Sequence, residues 1–546
     1  MDKRALLALA LSFLVFFVWS SLFGPKPKEK PPEEQVAVKE EESKPPLEKK
    51  MAPLGTERHA MLETQTDFQD ITVETELYRA VFSGAAPQIK SFQLKEYRSE
   101  LGENAPLREL VHVNDENGYG LRLGFSENDV PTTRWGQPRI NRTAVTLRQH
   151  DQPKSLVYER TSPEGVELRT AFLFRPNSYD IDLSVEVRNA SNDAIDGNIL
   201  LDMAHMPREM RRSYGSFEGL AMFIGNKLKE VKKEKLEGKE FMGQISWIAY
   251  EEPYFIRAII DEETKKAGVT SAVLPDGEIR IAYSPASVSL GQNEGAMHRF
   301  TLYLGPRDLY ILKSLDKNLE KAINFGWFDI IAKPLLVTLR FFNKYLSNYG
   351  LSIILLTILI KILFWPLTHK SYQSMKEMRK LQPMMAKIRE KYKHNKQEMN
   401  KQLMGLYKTY KINPMGGCLP MIIQIPVFFA FYRILPNSIE LRHAPFILWI
   451  NDLSAPERLF SLPFEIPLMA PPYGIPVLTL LMGASMFLQQ KMTPTPGDPA
   501  QAKMMMLLPV VFTFLFINFP SGLVLYWLVN NLLSIAQQYR INRKLG

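Results

Sequence analysis

Five apolar runs, each close to the length of a bilayer crossing, crowd into residues 351–537: 351–368, 419–435, 473–488, 504–519 and 520–537. About 20 apolar residues cross the hydrocarbon of a membrane as a helix, and a water-soluble core does not line up five such runs in succession. The last two form one stretch too long for a single crossing, and Asn518-Phe519-Pro520-Ser521-Gly522 supplies a turn near its middle. A sixth run, 5–23, follows Lys3 and Arg4. It is longer than the roughly 7 to 15 residues of a secretory signal core, and Val18-Trp19-Ser20 is a poor cleavage site. It therefore reads as a transmembrane anchor, 1–23, with a removed signal peptide as the alternative.

Charge orders these crossings. With six spans, the N-terminus, the loop after Thr368, the loop holding Lys491 and Lys503, and the tail with Arg540, Arg543 and Lys544 share one side, the cytoplasm under the positive-inside bias. With five, the basic tail would face outward. Six spans also place everything between the first and second outside the cytoplasm, which in a bacterium with two membranes is the periplasm.

Within that region, 24–68 is rich in Pro, Lys and Glu and poor in large apolar residues, which predicts a disordered linker. From 69 to 315 no run is long enough to span, but short alternating segments recur. In YDIDLSVEVR, 179–188, Ile181, Leu183, Val185 and Val187 share one face; 144–149, 168–175, 277–283 and 300–304 read alike. Strands at this density predict an all-β sandwich domain. In 316–349 the pattern turns helical and amphipathic, with Lys333, Arg340 and Lys344 on one face. Such a helix either lies in the membrane interface, anchored by Trp327 and Tyr345, or packs on the sandwich. The fold class that follows is a multi-domain membrane protein: a six-span α-helical membrane domain, five of its spans within 350–546, plus an all-β periplasmic domain.

The net charge of +9 is concentrated. Residues 369–412 carry twelve Lys or Arg against three Glu, and apolar residues recur at helical spacing: Met375, Met378, Leu381, Met385, Ile388 and Tyr392, then Met399, Leu403, Leu406 and Tyr410. This predicts a cytoplasmic helical hairpin turning near His394-Asn395, with a kink at Pro383. Either its stripes hold each other and its lysines only enforce topology, or it is a docking surface in which Met375, Met378, Met385 and Met399 adapt to apolar partners while Lys387, Arg389 and Lys391 attract RNA or anionic lipid.

Polar residues inside the spans are the remaining chemistry. Lys361 sits in LLTILIKILFWPLT, where a lysine costs about 2.5 to 3.5 kcal/mol at mid-membrane. Thr357 shares its face; Gln424, Ser485 and the set Tyr526, Asn530, Ser534 lie in later spans. Each alone serves as interhelical hydrogen-bonding glue, and Lys361 could snorkel toward the cytoplasm. Together, with no Asp or Glu in the spans, they predict a hydrated cavity that receives an acidic or polar segment.

Other function classes find little support. Cys418 is the only cysteine, which excludes an intramolecular disulfide, a zinc cluster or a dithiol site. No GxxxxGK[ST] run occurs, no cofactor or metal is expected, and no pairing of carboxylates with an activated histidine marks an enzyme; His205 reads as an ordinary packed histidine. A solute transporter or a membrane-anchored periplasmic sugar-binding protein is the rival, although the repeats that transporters show are not apparent.

KINPMGGCLPMIIQIPVFFAFYRIL (411–435), ELRHAPFILWINDLS (440–454) and FPSGLVLYWLVNNLLSIAQQ (519–538) closely resemble the YidC/Oxa family of membrane protein insertases. The resemblance implies an insertase and chaperone of the bacterial inner membrane, with both termini cytoplasmic and a periplasmic β-supersandwich related to sugar-binding and mutarotase folds. It implies a hydrophilic groove with one basic residue on the second span. Most members have arginine there; this chain has Lys361, which keeps the charge but not the planar fork of five donors. Thr357, Gln424 and Trp527 fall on groove positions. The implied partners are nascent membrane proteins, the SecYEG translocon and accessory Sec proteins, the ribosome, the signal-recognition-particle receptor and membrane lipids.

Overall fold

The structure, a computed structural model, describes residues 69–102, 104–111, 119–127, 130–131, 135–207, 216–263, 266–410, 419–492 and 499–544. The expected anchor and linker at 1–68, and Cys418, lie outside these residues.

The alternating segments form two sheets. One runs, in hydrogen-bonded order, Ala144–Thr146, Ile71–Glu74, Tyr78–Phe82, Gln88–Arg98, Leu121–Glu127, Ile195–His205, Ile279–Pro285 and Lys266–Val273, antiparallel except for its first pair. The other runs Arg139–Ile140, Lys154–Thr161, Val166–Phe174, Asp180–Asn189, Gly295–Pro306, Phe255–Asp261, Lys239–Glu251, Gly219–Ile224 and Lys227–Lys232. Strand Lys239–Glu251 belongs to both: its first half pairs with Lys266–Val273 and its second half with Phe255–Asp261. Period-two burial, as in Asp180–Asn189, turns one face of each sheet inward. Phe82 meets Phe172 and Phe174 across the gap at centroid distances of 5.1 and 5.6 Å, and Tyr283 meets Phe300 at 6.3 Å. These edge-to-face contacts and the burial of the large aromatics hold the two layers together.

The chain leaves the sandwich through α1 (Leu309–Ser314), whose first turn is capped by Asp308 accepting from the Tyr310 and Ile311 amides. Helix α2 (Asp329–Leu346) follows, then α3 (Tyr349–Leu363), α4 (Trp365–Lys391), α5 (Lys396–Thr409), α6 (Leu419–Ile434), α7 (Val477–Met492), α8 (Pro499–Phe516) and α9 (Ser521–Lys544). Helix α2 packs on α3 and α6 through Ala332, Leu336 and Leu339, and it exposes Trp327 just ahead of it, then Ile330, Phe341 and Tyr345. The segment has an exposed apolar face, and its packed face meets helices rather than the sandwich. Arg340 is no free headgroup ligand either. Its guanidinium donates to Asp308 at 2.7 Å and to Glu440 at 2.8 Å, joining α2 to the end of the sandwich and to the loop after α6.

The expected second span, 351–368, is not one straight helix. It breaks at Phe364, and α3 and α4 meet at 67°. Pro366 opens α4; it has no amide hydrogen to continue the ladder of α3, and its ring crowds the preceding turn. Among the described residues no single helix is long and apolar enough to cross a membrane, although the bent pair of α3 and α4 passes jointly. The fourth expected run, 473–488, also shifts, because Ile475 pairs with Leu459 as an isolated bridge and α7 starts only at Val477. The turn expected at 518–522 separates α8 from α9.

Candidate functional site

Because α3 ends at Leu363, Lys361 stands in the last turn of a helix, not in the middle of one. The negative end of the helix dipole lies there and favours a cation. Its Nζ donates to Ser534 Oγ at 2.7 Å, and that hydroxyl donates onward to the Asn530 carbonyl at 2.8 Å. The described helices α3 and α6–α9 contain no Asp or Glu, so the lysine is held by a neutral polar partner. Thr357, one turn earlier on α3, is buried and donates to the Ile353 carbonyl at 2.7 Å.

Helix α9 is the hub, packing on α3, α4, α6 and α7. Its buried polar residues bond to three of them. Besides Ser534, Asn531 Nδ2 donates to Ser485 Oγ on α7 at 3.0 Å, Gln537 Nε2 to Thr368 Oγ1 on α4 at 3.0 Å, and Gln538 Nε2 to the Met492 carbonyl at 3.0 Å. Asn531, Gln537 and Gln538 were not among the expected site residues. Their signal was in the sequence: the pairs Asn530-Asn531 and Gln537-Gln538 are seven apart, two helical turns, with Ser534 between them.

The expected groove residues are only partly brought together. Lys361, Ser534 and Asn530 share the seam of α3 and α9, and Ser485 lies on the α7 side. Tyr526 is buried on the α6 side, stacked on Phe431 at 4.5 Å; its hydroxyl lies beside Gln424 but not in hydrogen-bond geometry, and neither that hydroxyl nor Gln424 Nε2 finds a partner. Trp527 points elsewhere, into an aromatic cluster of Phe428, Phe512 and Phe516 at 4.9, 6.2 and 5.1 Å. One residue further along α9 from Tyr526 is a turn of 100°, which separates the two faces.

Helices α4 and α5 pair through Leu381, Met385 and Leu403, flanked by Met384, Ile388, Met399 and Leu406, and α4 runs on through Pro383. Asn395 caps α5 by accepting from the Glu398 amide. The docking expectation needs correction here: Met375, Met378 and Met385 are buried, Met375 against Tyr372 and against Ile541 of α9, so they are structural packing. Met399 is half-buried, and Lys387 and Lys391 are exposed, with Arg389 between.

In the sandwich, His205 is buried against the Tyr250 ring at 4.2 Å and lies 3.7 Å from Glu252, in a polar cluster with Arg108 and Arg257. No spacing announced it, because its members are far apart in sequence. Glu251 faces Arg307 at 3.0 Å without hydrogen-bond geometry, and burial pushes its carboxyl up to about 7. Burial also raises Glu440, with Asp308 adding and Arg340 opposing.

Residues 70–338 match the family described as YidC periplasmic domain, and residues 341–546 match the family described as 60Kd inner membrane protein. The chain is 42% identical over 552 residues to a membrane protein insertase YidC of Pelobacter propionicus, covering 100% of this chain and 99% of that protein. It is 41% identical over 563 residues to a membrane protein insertase YidC of Syntrophobacter fumaroxidans, covering all of both. Among solved structures, a crystal structure of an active YidC insertase with its first transmembrane domain resolved aligns with a TM-score of 0.37 at 18% identity, over 86% of this chain and 92% of that one. Full-length identity at this level, across both the sandwich and the helices, places the chain in the YidC family of membrane protein insertases.

Proposed function

We propose that this chain inserts membrane proteins into the bacterial inner membrane through the polar seam of α3 and α9. Lys361 attracts acidic residues of a client's short translocated tail; the seam of Asn530, Asn531, Ser534 and Gln537 offers that tail hydrogen bonds in place of water; the client's apolar span then moves into lipid. The observation that carries this is the Lys361 to Ser534 bond, a cation kept at a helix end by a neutral partner that a client carboxylate can replace. Burial of apolar surface, on the order of 25 cal/mol per Å², drives the last step, so no nucleotide or catalytic residue is required.

The finer reading assigns six spans, both termini and the α4–α5 hairpin to the cytoplasm, and the sandwich to the periplasm, on the strength of the basic loops. On this reading the exposed face around Lys387, Arg389 and Lys391 meets the ribosome, the signal-recognition-particle receptor or anionic lipid. The SecYEG translocon and its accessory proteins are partners for longer clients.

The test is insertion of a single-span client with a short acidic tail into proteoliposomes, comparing wild type, Lys361→Arg and Lys361→Leu. Loss with Leu and retention with Arg is the expected outcome. Equal insertion by Lys361→Leu would remove charge attraction from the mechanism.

A further inference from the structure

Between α6 and α7 the chain makes a long excursion, and its second half, 459–476, reads LFSLPFEIPLMAPPYGIP: five prolines, one charge at Glu465, and no Lys or Arg. This segment is folded as an arm. Leu459 and Ile475 exchange backbone hydrogen bonds of 2.9 and 3.0 Å, and Leu462 N donates to the Tyr473 carbonyl at 2.9 Å. Gly474 closes it, since a Cβ there would lie 2.2 Å from the Phe460 carbonyl oxygen.

The arm turns its large apolar side chains outward. Phe460 is 71% exposed, Phe464 59% and Leu468 78%; earlier in the excursion Leu448 is 80% exposed. Leu448, Phe460 and Leu468 also adopt left-handed backbone, φ 57°, 58° and 68°, a region that residues with large side chains rarely occupy. Strained backbone that persists and aims apolar groups outward points to something that covers them.

The arm is wired to the membrane helices. Asn518, in the turn between α8 and α9, donates to the Leu468 carbonyl and accepts from the Ala470 amide, both at 2.8 Å. Arg458 donates to the Ile517 carbonyl at 2.9 Å. Glu457, buried, accepts from Trp449 Nε1 and from the Leu478 amide at the start of α7. The exposed apolar side chains of the arm are thus tied to the end of α8, whose own exposed side chains include Leu508, Val511 and Phe514.

We propose that the arm is seated in lipid: Phe460, Phe464 and Leu468 enter the bilayer at the end of the bundle where α8 meets α9, and so hold the starts of α7 and α9 at a fixed depth. Lipid is the occupant because the patch is continuous with the apolar flank of α8, is nearly free of charge, and presents apolar side chains on a stiff, proline-rich support. The proposal rests on the membrane reading of the helical half.

The test uses the full chain in proteoliposomes, with Cys418→Ser and single cysteines at 460, 464 or 468 carrying an environment-sensitive fluorophore. Labels at 508 on α8 and at 242 in the sandwich, where Met242 is 62% exposed, serve as references. Quenching by brominated lipid at 460, 464 and 468 several-fold above that at 242, unchanged when a client is added, is the expected result. Quenching at 508 alone overturns the proposal and leaves the membrane reading standing; quenching at neither overturns both. Lipid quenching at the arm that vanishes on adding client overturns lipid as the resident occupant. Photolabelling of the unmodified protein with a diazirine lipid gives the same decision without substitutions, through the presence or absence of adducts in peptides of 459–476.

Discussion

Lys361 shows how one side chain is set by its surroundings. It lies at the C-terminal end of α3, where the helix dipole favours a cation, and the Ser534 hydroxyl accepts its proton-bearing nitrogen at 2.7 Å. That hydroxyl is one neutral contact, so its removal should weaken the seam without abolishing it. Ser534→Ala is expected to cost about 1 kcal/mol of stability and to reduce insertion by less than Lys361→Leu. A vesicle insertion assay run beside a detergent melt of the same variant checks both; an equal loss in the two variants would show that the hydrogen-bonded pair, not the charge alone, is required. The lysine itself was legible in the sequence as a lone charge in an apolar run. Its position at a helix end was not, because the single Pro366 had to be weighed against the otherwise span-like run 351–368.

At the scale of elements, two contacts carry the architecture. Arg340 of α2 is shared by Asp308 and Glu440, and the Glu440 side chain is only 7% exposed. Arg340→Ala leaves buried carboxylate without its cation, which should destabilise the junction by about 3 kcal/mol or more; Glu440→Gln in the same chain should recover a large part of that loss. Melting temperatures of the two single variants and the double variant form the cycle, and strict additivity would show that the two residues do not interact. Helices α7 and α8 approach closely at Gly483, where a Cβ would lie 2.1 Å from Thr513 Oγ1. Gly483→Val should therefore separate them and cost about 1 to 3 kcal/mol, read as a lowered melting temperature; an unchanged melt would mean the pair relaxes freely. The strands were visible as alternation, and the hairpin as two stripes at helical spacing. What periodicity could not show was what each stripe faces: Met375 packs against Tyr372 and against Ile541 of α9, and Met378 is buried as well.

At the scale of the whole molecule, the sandwich carries a pH dependence of its own. Burial lifts Glu251 from its ordinary 4.5 to about 7, so folding favours its neutral form. The stability this contributes is present below about pH 4.5 and is lost as the pH rises toward 7. Thermal melts of the full chain in detergent, followed by a β-sheet signal, should fall across that window, and Glu251→Gln should flatten this part of the slope. The same slope in both proteins would place its origin elsewhere. The sandwich and the helices meet through a few directional contacts: Arg442 donates to the Arg98 carbonyl at 2.6 Å and to the Ser99 carbonyl at 3.1 Å, and Arg340 bridges α1 and the loop after α6.

By itself the sequence determined the division into an all-β half and a helical half, the approximate place of some strands, such as Asp180–Asn189, and of the main helices, and the residues whose polarity is out of place, because burial writes a period of two or 3.6 into a chain and a charge in an apolar run violates both. The motifs it shares with its family determined the function. Only the tertiary structure decided that Lys361 bonds to Ser534, that Trp527 packs among aromatics instead of lining the seam, and that Phe460 and Leu468 face outward. Those outcomes depend on which elements meet, and 173 residues separate Lys361 from its partner; no local pattern encodes a contact across that distance.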